Sequence, residues 1–413
     1  MLTIHQARAP GQIEPQSRTG LAIAGGGPVG AIYELGTLHA LDESINGLKL
    51  HELDVYVGVS SGALIAAGLA NRISTAELCR IFLNKEYASL KFQPEHFLQP
   101  AYREYFDRAS RLPGILTDTL LGLIRSPGRS MVSQLLSELG KAVPSGIFNN
   151  EALHDFLEEA FRLTGHSNQF ADLDCQLNIV AVDLDSGSAV RFGSNSHHNV
   201  TISRAVQASA ALPGLYPPVE IDGHFYVDGA LRRTLHASVA LDEGVDFLIG
   251  VNPLVPFDAG EKGLNDELSD KRLTEGGLPL ILSQTFRAMI QSRMKVGFQK
   301  YFSDHPAADL VLMEPDRDDE KIFFTNVFSY GDRKALCEHA YQACRQDLLS
   351  RSALLGPILE RRGMSLNLDL LSDKNRKLDT SIGEGRTSHA AVARKLHDIL
   401  NDLDDLFETK IAV

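Results

Sequence analysis

Gly58-Val59-Ser60-Ser61-Gly62 sets a serine between glycines at the junction of two apolar runs. On a sharp strand-to-helix turn a serine hydroxyl stands clear of the sheet and faces the positive end of the next helix. The flanking glycines relieve the crowding such a turn creates. This is an arrangement for nucleophilic attack, with Ser60 central in the pattern and Ser61 beside it. The bare pattern arises by chance in roughly one chain in ten of this length. Its weight therefore comes from context: the apolar strand before it and the apolar helix after it.

Gly25-Gly26-Gly27-Pro28-Val29-Gly30 is the second stretch. Glycines after a strand leave backbone N–H groups uncovered at a helix N-terminus, where negative charge is favoured. In acyl transfer that charge is the oxyanion of a tetrahedral intermediate. Gly25, Gly26, Gly27 and Gly30 are accordingly expected to form an oxyanion hole. The same stretch matches a dinucleotide fingerprint for FAD or NAD. That reading wants an acidic residue closing the second strand, whereas Glu52 and Asp54 lie at or before its start and its end carries Gly58 and Ser60.

The third stretch is Val227-Asp228-Gly229-Ala230. An aspartate that ends a strand before a glycine can aim its carboxylate across a sheet edge and act as a base. Asp222-Gly223, six residues earlier, has strand on both sides and reads as a two-residue hairpin turn. Asp228 is therefore the expected base.

These residues need a frame, and the hydrophobic pattern supplies one. Leu21–Ala24 and Leu53–Val57 read as buried strands. Ile32, Leu35, Leu38 and Leu41 have helical spacing, and a second helix opens at Ala63. Strand, helix, strand, helix at this spacing is a βαβ unit with a parallel sheet. Further strands are expected at Gln176–Val182, Ala189–Phe192, Val219–Ile221, His224–Val227, Phe247–Val251 and Leu310–Met313. Helices are expected over about 279–302 and 331–350.

The chain has 413 residues, 44% of them hydrophobic and 23% charged, enough for one large core with a helical appendage. A net charge of −13 gives nothing to counterion release, which excludes nucleic acid as the expected partner. Cys79, Cys175, Cys337 and Cys344 form no metal-spaced pair and read as reduced packing residues. Residues 1–19 are polar and lack the apolar core of a signal peptide. No run is long enough to span a membrane. The expected location is cytoplasmic, with any lipid met at a surface.

In this order the three stretches resemble the patatin-like phospholipases: a glycine-rich loop, a GxSxG elbow (Gly58 to Gly62) and a DGA aspartate (Asp228-Gly229-Ala230). The stretch Ala208–Pro218, ASAALPGLYPP, is similar to the family's segment before that aspartate. The likeness covers about residues 20–241 and extends loosely to about 345. Val29 stands where many members carry Arg or Lys.

The resemblance implies a three-layer α/β fold with a mostly parallel central sheet, a helical insertion and a C-terminal helical region. It divides the chain into a polar leader (1–19), a catalytic domain (20–241, with an insertion or lid at about 91–148), a completing region (242–363) and a polar, partly helical tail (364–413). It implies a Ser60–Asp228 dyad without histidine, a lipid ester substrate of the phospholipase A or lysophospholipase kind, and no metal or organic cofactor. An acyltransferase or thioesterase would use the same dyad. A catalytically silent lipid-binding module is the rival without chemistry. A histidine triad would need one of His236, His305, His339, His389 or His397, none of which has a local signature.

Two segments are candidates for peripheral membrane contact. One is the insertion, where Leu112, Ile115, Leu116, Leu120, Leu121, Leu123 and Ile124 are flanked by Arg108, Arg111, Arg125 and Arg129, a pattern that a helix packed on the domain core also gives. The other is Pro279–Phe302, where Phe286, Ile290 and Met294 have the spacing of a core stripe. The acidic run Asp316–Glu320 lacks the spacing of a calcium loop and reads as a solvated turn. A further amphipathic helix is expected near 388–408.

Overall fold

The computed structural model describes residues 2–7, 17–83, 100, 145–193, 197, 199–258, 277–325 and 330–383. The lid expected at about 91–148 lies outside the described residues except for Pro100 and 145–148, and so does the helix expected near 388–408.

The strands are β1 (Leu2–His5), β2 (Thr19–Ile23), β3 (Ile45–Asn46), β4 (Val55–Val59), β5 (Gln176–Asp183), β6 (Ala189–Phe192), β7 (Val219–Ile221), β8 (His224–Asp228), β9 (Phe247–Val251), β10 (Asp309–Met313) and β11 (Ser365–Leu366). Apart from the small β3–β11 pair they form one sheet in the order β1-β10-β9-β2-β4-β5-β8-β7, with β6 also paired to β5. The five central strands, β10, β9, β2, β4 and β5, run parallel. Antiparallel β1 closes one side, and the β7–β8 hairpin closes the other. Buried on both faces, the parallel strands are largely apolar, with polar residues mostly at their ends, and this made them legible as short hydrophobic runs.

The α-helices are α1 (Gly27–Ser44), α2 (Ser61–Ala70), α3 (Thr75–Leu83), α4 (Glu151–Thr164), α5 (Ile202–Ser209), α6 (Ala237–Asp242), α7 (Gly277–Asp304), α8 (Glu320–Phe324), α9 (Tyr330–Ser350), α10 (Ser352–Glu360), α11 (Leu368–Ser372) and α12 (Leu378–Ile382). Alternate strand residues feed opposite faces. Leu21, Ile23 and Tyr56 join the larger apolar cluster, with α1, α2 and α9. Ala22, Val55, Val57 and Val59 join the smaller one, with α6 and Tyr301 of α7. The result is three layers. Helix α1 is buried on nearly every side, so its sequence is apolar all round rather than striped.

Three regions differ from their sequence reading. Within the polar leader, Leu2 is fully buried and Leu2–His5 pairs with β10. In the polar tail, Leu371, Leu378 and Ile382 are buried, and Arg376 grips Glu43 of α1 with Nη2–Oε2 at 2.6 Å. The acidic run forms a cap rather than a solvated turn. Asp319 accepts the Lys321 N–H at the start of α8 and holds His339 Nε2 at 2.6 Å. The four cysteines are free thiols, three of them buried.

Candidate active site

β4 enters the core fully buried, and α2 begins at Ser61. Ser60 lies between them at φ 52°, ψ −122°, a backbone conformation that costs a non-glycine residue about 1–3 kcal/mol. The surroundings hold it there. The Ser60 N–H donates to Ser209 Oγ at 2.9 Å, and the Ser60 carbonyl accepts from the Ala63 N–H at 3.0 Å. Ser209 Oγ in turn donates to the Val180 carbonyl of β5 at 2.6 Å. The glycines of the elbow are required by close approach. A Cβ on Gly62 would lie 2.5 Å from Ile23 O and closer still to Ala24 O. On Gly58 it would lie 2.5 Å from Ala63 Cα.

Asp228 ends β8 with only 3% of its surface exposed. Its N–H donates to the Ala211 carbonyl at 3.0 Å, and its Oδ1 accepts from the Ala230 N–H at 2.8 Å. Burial pushes its carboxyl up to about 6, while the bonds from the Ser60 hydroxyl and the Ala230 N–H pull in the opposite direction. The serine side chain and this carboxyl, 168 positions apart in sequence, are thus brought close enough for the hydroxyl to act on the carboxyl's proton affinity. Gly229 packs directly on Val180 O, with no room for a Cβ. Asp222 is separated from all this. It sits exposed at the hairpin tip with φ 53°, followed by Gly223 at φ 80°, the double positive φ of a type I′ turn.

The glycine loop closes the site from the β2 side. A Cβ on Gly25 would fall 2.8 Å from Ser60 Cβ, so the loop lies directly against the serine. Gly26 and Gly30 pack on Pro253, with built Cβ distances of 2.5 and 2.9 Å to its Cγ. Gly27 has φ 62° and open space around it. Among the described residues the N–H groups of Gly25, Gly26 and Gly27 make no hydrogen bond. They stand at the positive end of the 18-residue α1. Gly30 differs: its N–H donates to Gly26 O at 3.1 Å, inside the first turn of the helix. Gly30 therefore gives close packing under Pro253 rather than a free donor.

Sequence reasoning passed over three groups. The Ser61 N–H, following the serine at the start of α2, is also without a partner among the described residues. In many serine hydrolases the amide at this place faces the oxyanion. Glu34 of α1 is fully buried, and burial drives its carboxyl well above the usual range, against the pull of the Ser61 hydroxyl. Neither its carboxyl oxygens nor the Ser61 hydroxyl has a hydrogen-bond partner among the described residues. Ser209 is the third. Its hydroxyl and the Ala211 carbonyl hold the Ser60 and Asp228 amides from one tripeptide. The only sequence signal for it was the segment Ala208–Pro218.

The histidines lie elsewhere. His236 is buried with Nε2 3.3 Å from Gly229 O, and burial lowers it to about 4, so it is neutral. His305 faces Asp242 and His339 faces Asp319. His389 and His397 lie outside the described residues. Among the described residues no histidine bonds Ser60, and no group of three His, Cys, Asp or Glu is placed to hold a metal ion. No described helix is long and apolar enough to cross a membrane.

A hydroxyl on a buried carboxyl, beside unpartnered amides, is equipped to attack a carbonyl and to hold the resulting oxyanion. A family model described as patatin-like phospholipase matches residues 21–241. Among solved structures the chain is similar to VipD from Legionella pneumophila, at 17% identity over 60% of this chain and 52% of that one, with a TM-score of 0.31. It is similar to the type III effector ExoU at 17% identity over 85% and 57%, with a TM-score of 0.35. The third is the complex of SpcU with ExoU from Pseudomonas aeruginosa, at 14% identity over 89% and 67%, with a TM-score of 0.27. The chain spans a little over half the length of the first two.

Proposed function

The chain belongs to the patatin-like phospholipase family, and from that premise we propose that it hydrolyses acyl esters of lipids with Ser60 as nucleophile and Asp228 as base. The observation that carries this reading is the strained Ser60 turn beside a buried carboxyl whose proton affinity the serine hydroxyl lowers.

Ser60 Oγ attacks the ester carbonyl carbon while its proton passes to Asp228. The carbonyl oxygen becomes an oxyanion held by the free N–H groups of Gly25 to Gly27, joined by that of Ser61. The intermediate collapses, the C–O bond to the alcohol breaks, and Asp228 returns the proton to the leaving oxygen. Water, deprotonated by Asp228, then attacks the acyl-serine; the bond from the carbonyl carbon to Ser60 Oγ breaks, the fatty acid leaves, and Asp228 returns the proton to Oγ. An ordinary aspartate, near 3.9, is too weak a base for this work. Raised to about 6, Asp228 approaches the range where a base is both ionised and basic at neutral pH. Val29 adds no positive charge, so the oxyanion depends on amides and the helix terminus alone.

The test compares wild type with Ser60→Ala, Asp228→Asn and Asp222→Asn on a phospholipid and on a soluble short-chain ester, alongside fluorophosphonate labelling. Labelling is expected at Ser60 only. Turnover should fall by roughly a thousandfold or more in the first two variants and hold in the third. Turnover that survives Asp228→Asn but is lost in Asp222→Asn would overturn the base assignment. An acyl group recovered on an added alcohol, rather than as free acid, would identify an acyltransferase.

A further inference from the structure

Helix α7 has two faces of different chemistry. The inner face is latched by polar bonds to residues 252–257, which follow β9. Gln284 bonds both backbone groups of Phe257, accepting at 3.1 Å and donating at 2.7 Å. Arg287 donates to the carbonyls of Pro253 and Val255 at 3.3 and 3.2 Å and lies over the Phe323 ring. Asn252 Nδ2 donates to Met294 Sδ at 3.3 Å. The outer face carries Ile281, Leu282, Phe286 and Met289, exposed to 42%, 46%, 38% and 51%. At helical spacing these four fall within an arc of about 140°. Arg293 and Lys300 are exposed on the same arc one to three turns further on. The cations of the helix are Arg287, Arg293, Lys295 and Lys300, and no acidic residue occurs before Asp304, in a chain whose net charge is −13.

We propose that this outer face of α7 docks on an anionic lipid bilayer, an inference that rests on the reading of the chain as a lipid acyl hydrolase. Exposed apolar side chains followed by cations on one arc suit the headgroup boundary, where the apolar groups insert and the cations meet phosphate and carboxylate groups. Charge complementarity selects the bilayer over a second copy of the chain. Two such faces would bring Arg293 and Lys300 together with no acid on the arc to pair with them. Position favours it too. Pro253, held by Arg287, is the residue on which Gly26 and Gly30 pack. A bilayer seated on the outer face of α7 therefore lies one helix and one short segment away from the glycine loop.

The test is flotation of the full chain with vesicles of phosphatidylcholine alone and of phosphatidylcholine with about 30% phosphatidylserine, a mixture that sets up an anionic surface potential. Wild type should float with the anionic vesicles and lose that binding as salt rises. The variant Leu282→Ser/Phe286→Ser/Met289→Ser should bind at least about tenfold more weakly. Arg293→Gln/Lys300→Gln should lose about fivefold per cation on anionic vesicles only. Turnover of a soluble short-chain ester is read in parallel, and unchanged turnover in both variants shows that the fold and the chemistry survive. Wild-type binding equal to that of both variants, or no vesicle binding by an active wild type, overturns the proposal. So does a change of oligomeric state in the triple variant with vesicle binding intact, because the face would then be a contact between copies. Vesicle binding that responds to the variants in a protein without ester turnover upholds the docking and sinks the hydrolase reading alone.

Discussion

Replacing Asp228 by asparagine should abolish turnover and at the same time stabilise the fold above neutral pH. In the folded protein burial raises this carboxyl to about 6, against about 3.9 in an unfolded chain. The fold therefore binds its proton more tightly than the unfolded chain does. Its contribution is intact below about pH 4 and is lost as pH rises through about 6. Two pH units at about 1.4 kcal/mol each give a penalty of about 3 kcal/mol once Asp228 is ionised in the fold. Asparagine keeps the shape and an oxygen for the Ala230 N–H but cannot ionise. The variant should exceed wild type by up to about 3 kcal/mol at pH 8, less whatever is lost at the Ser60 bond, and the gap should close by pH 4. Denaturant unfolding at pH 4, 6 and 8, followed by circular dichroism, reads this directly. The kcat/KM of wild type on a soluble ester should rise with a midpoint near pH 6, because the base must be unprotonated. A variant less stable than wild type at pH 8, with a gap that ignores pH, would refute the claim that Asp228 is a buried carboxylate held above its natural range.

Two further substitutions probe the groups around the pair. Gly25→Ala puts a Cβ 2.8 Å from Ser60 Cβ. It should lower kcat by roughly a hundredfold through displacement of the serine while the melting temperature moves little; wild-type kcat would place the loop farther from the chemistry. Ser209→Ala removes the acceptor for the Ser60 N–H and the donor to Val180 O. It should cost about 1–3 kcal/mol of stability and lower kcat at least about tenfold with KM steady, and Ser209→Thr should restore part of both. A loss of stability with kcat unchanged would make Ser209 a structural residue only.

The legible parts of the fold were those whose signal is local. The parallel strands are short apolar runs, and the Asp222-Gly223 turn is written in two residues that tolerate positive φ. Leu2–His5 gave no such signal, since four residues are too few for a period and their partner Asp309–Met313 lies some 300 positions away. The tail read as polar because Leu371, Leu378 and Ile382 are widely spaced, and Arg376 finds its partner only in the folded chain. On α7 the apolar stripe of Phe286, Ile290 and Met294 suggested a buried face. Met294 does pack on the smaller cluster, but Phe286 is exposed, and the inner face also carries Gln284 and Arg287, because the backbone of residues 253–257 needs donors and acceptors there. At the site, Ser60, Asp228 and the glycines were legible because a sharp turn and a close approach demand particular residue types. Ser209 was not, because any small polar residue in a helix looks the same until its neighbours are known. Gly30 was grouped with the loop because the pattern cannot tell a free amide from one already bonded in a helix turn.

The departures from ordinary folding rules collect at the ends of β2, β4 and β8. They comprise a serine at positive φ, a buried carboxyl, a buried glutamic acid without hydrogen-bond partners and a row of unpartnered amides. Each is destabilising by itself, and their coincidence is what a preorganised site looks like when the core elsewhere is well packed. The residues 209–211 explain how the arrangement keeps its geometry. Ser209 holds the backbone of Ser60 and Ala211 holds the backbone of Asp228, while Ser209 is itself fastened to the central strand β5. One tripeptide thus sets the separation of the Ser60 and Asp228 backbones. A displacement of α5 relative to the sheet carries both amides with it, whereas a change within the tripeptide alters their spacing. Perturbations inside residues 209–211 should therefore weaken turnover out of proportion to their effect on stability.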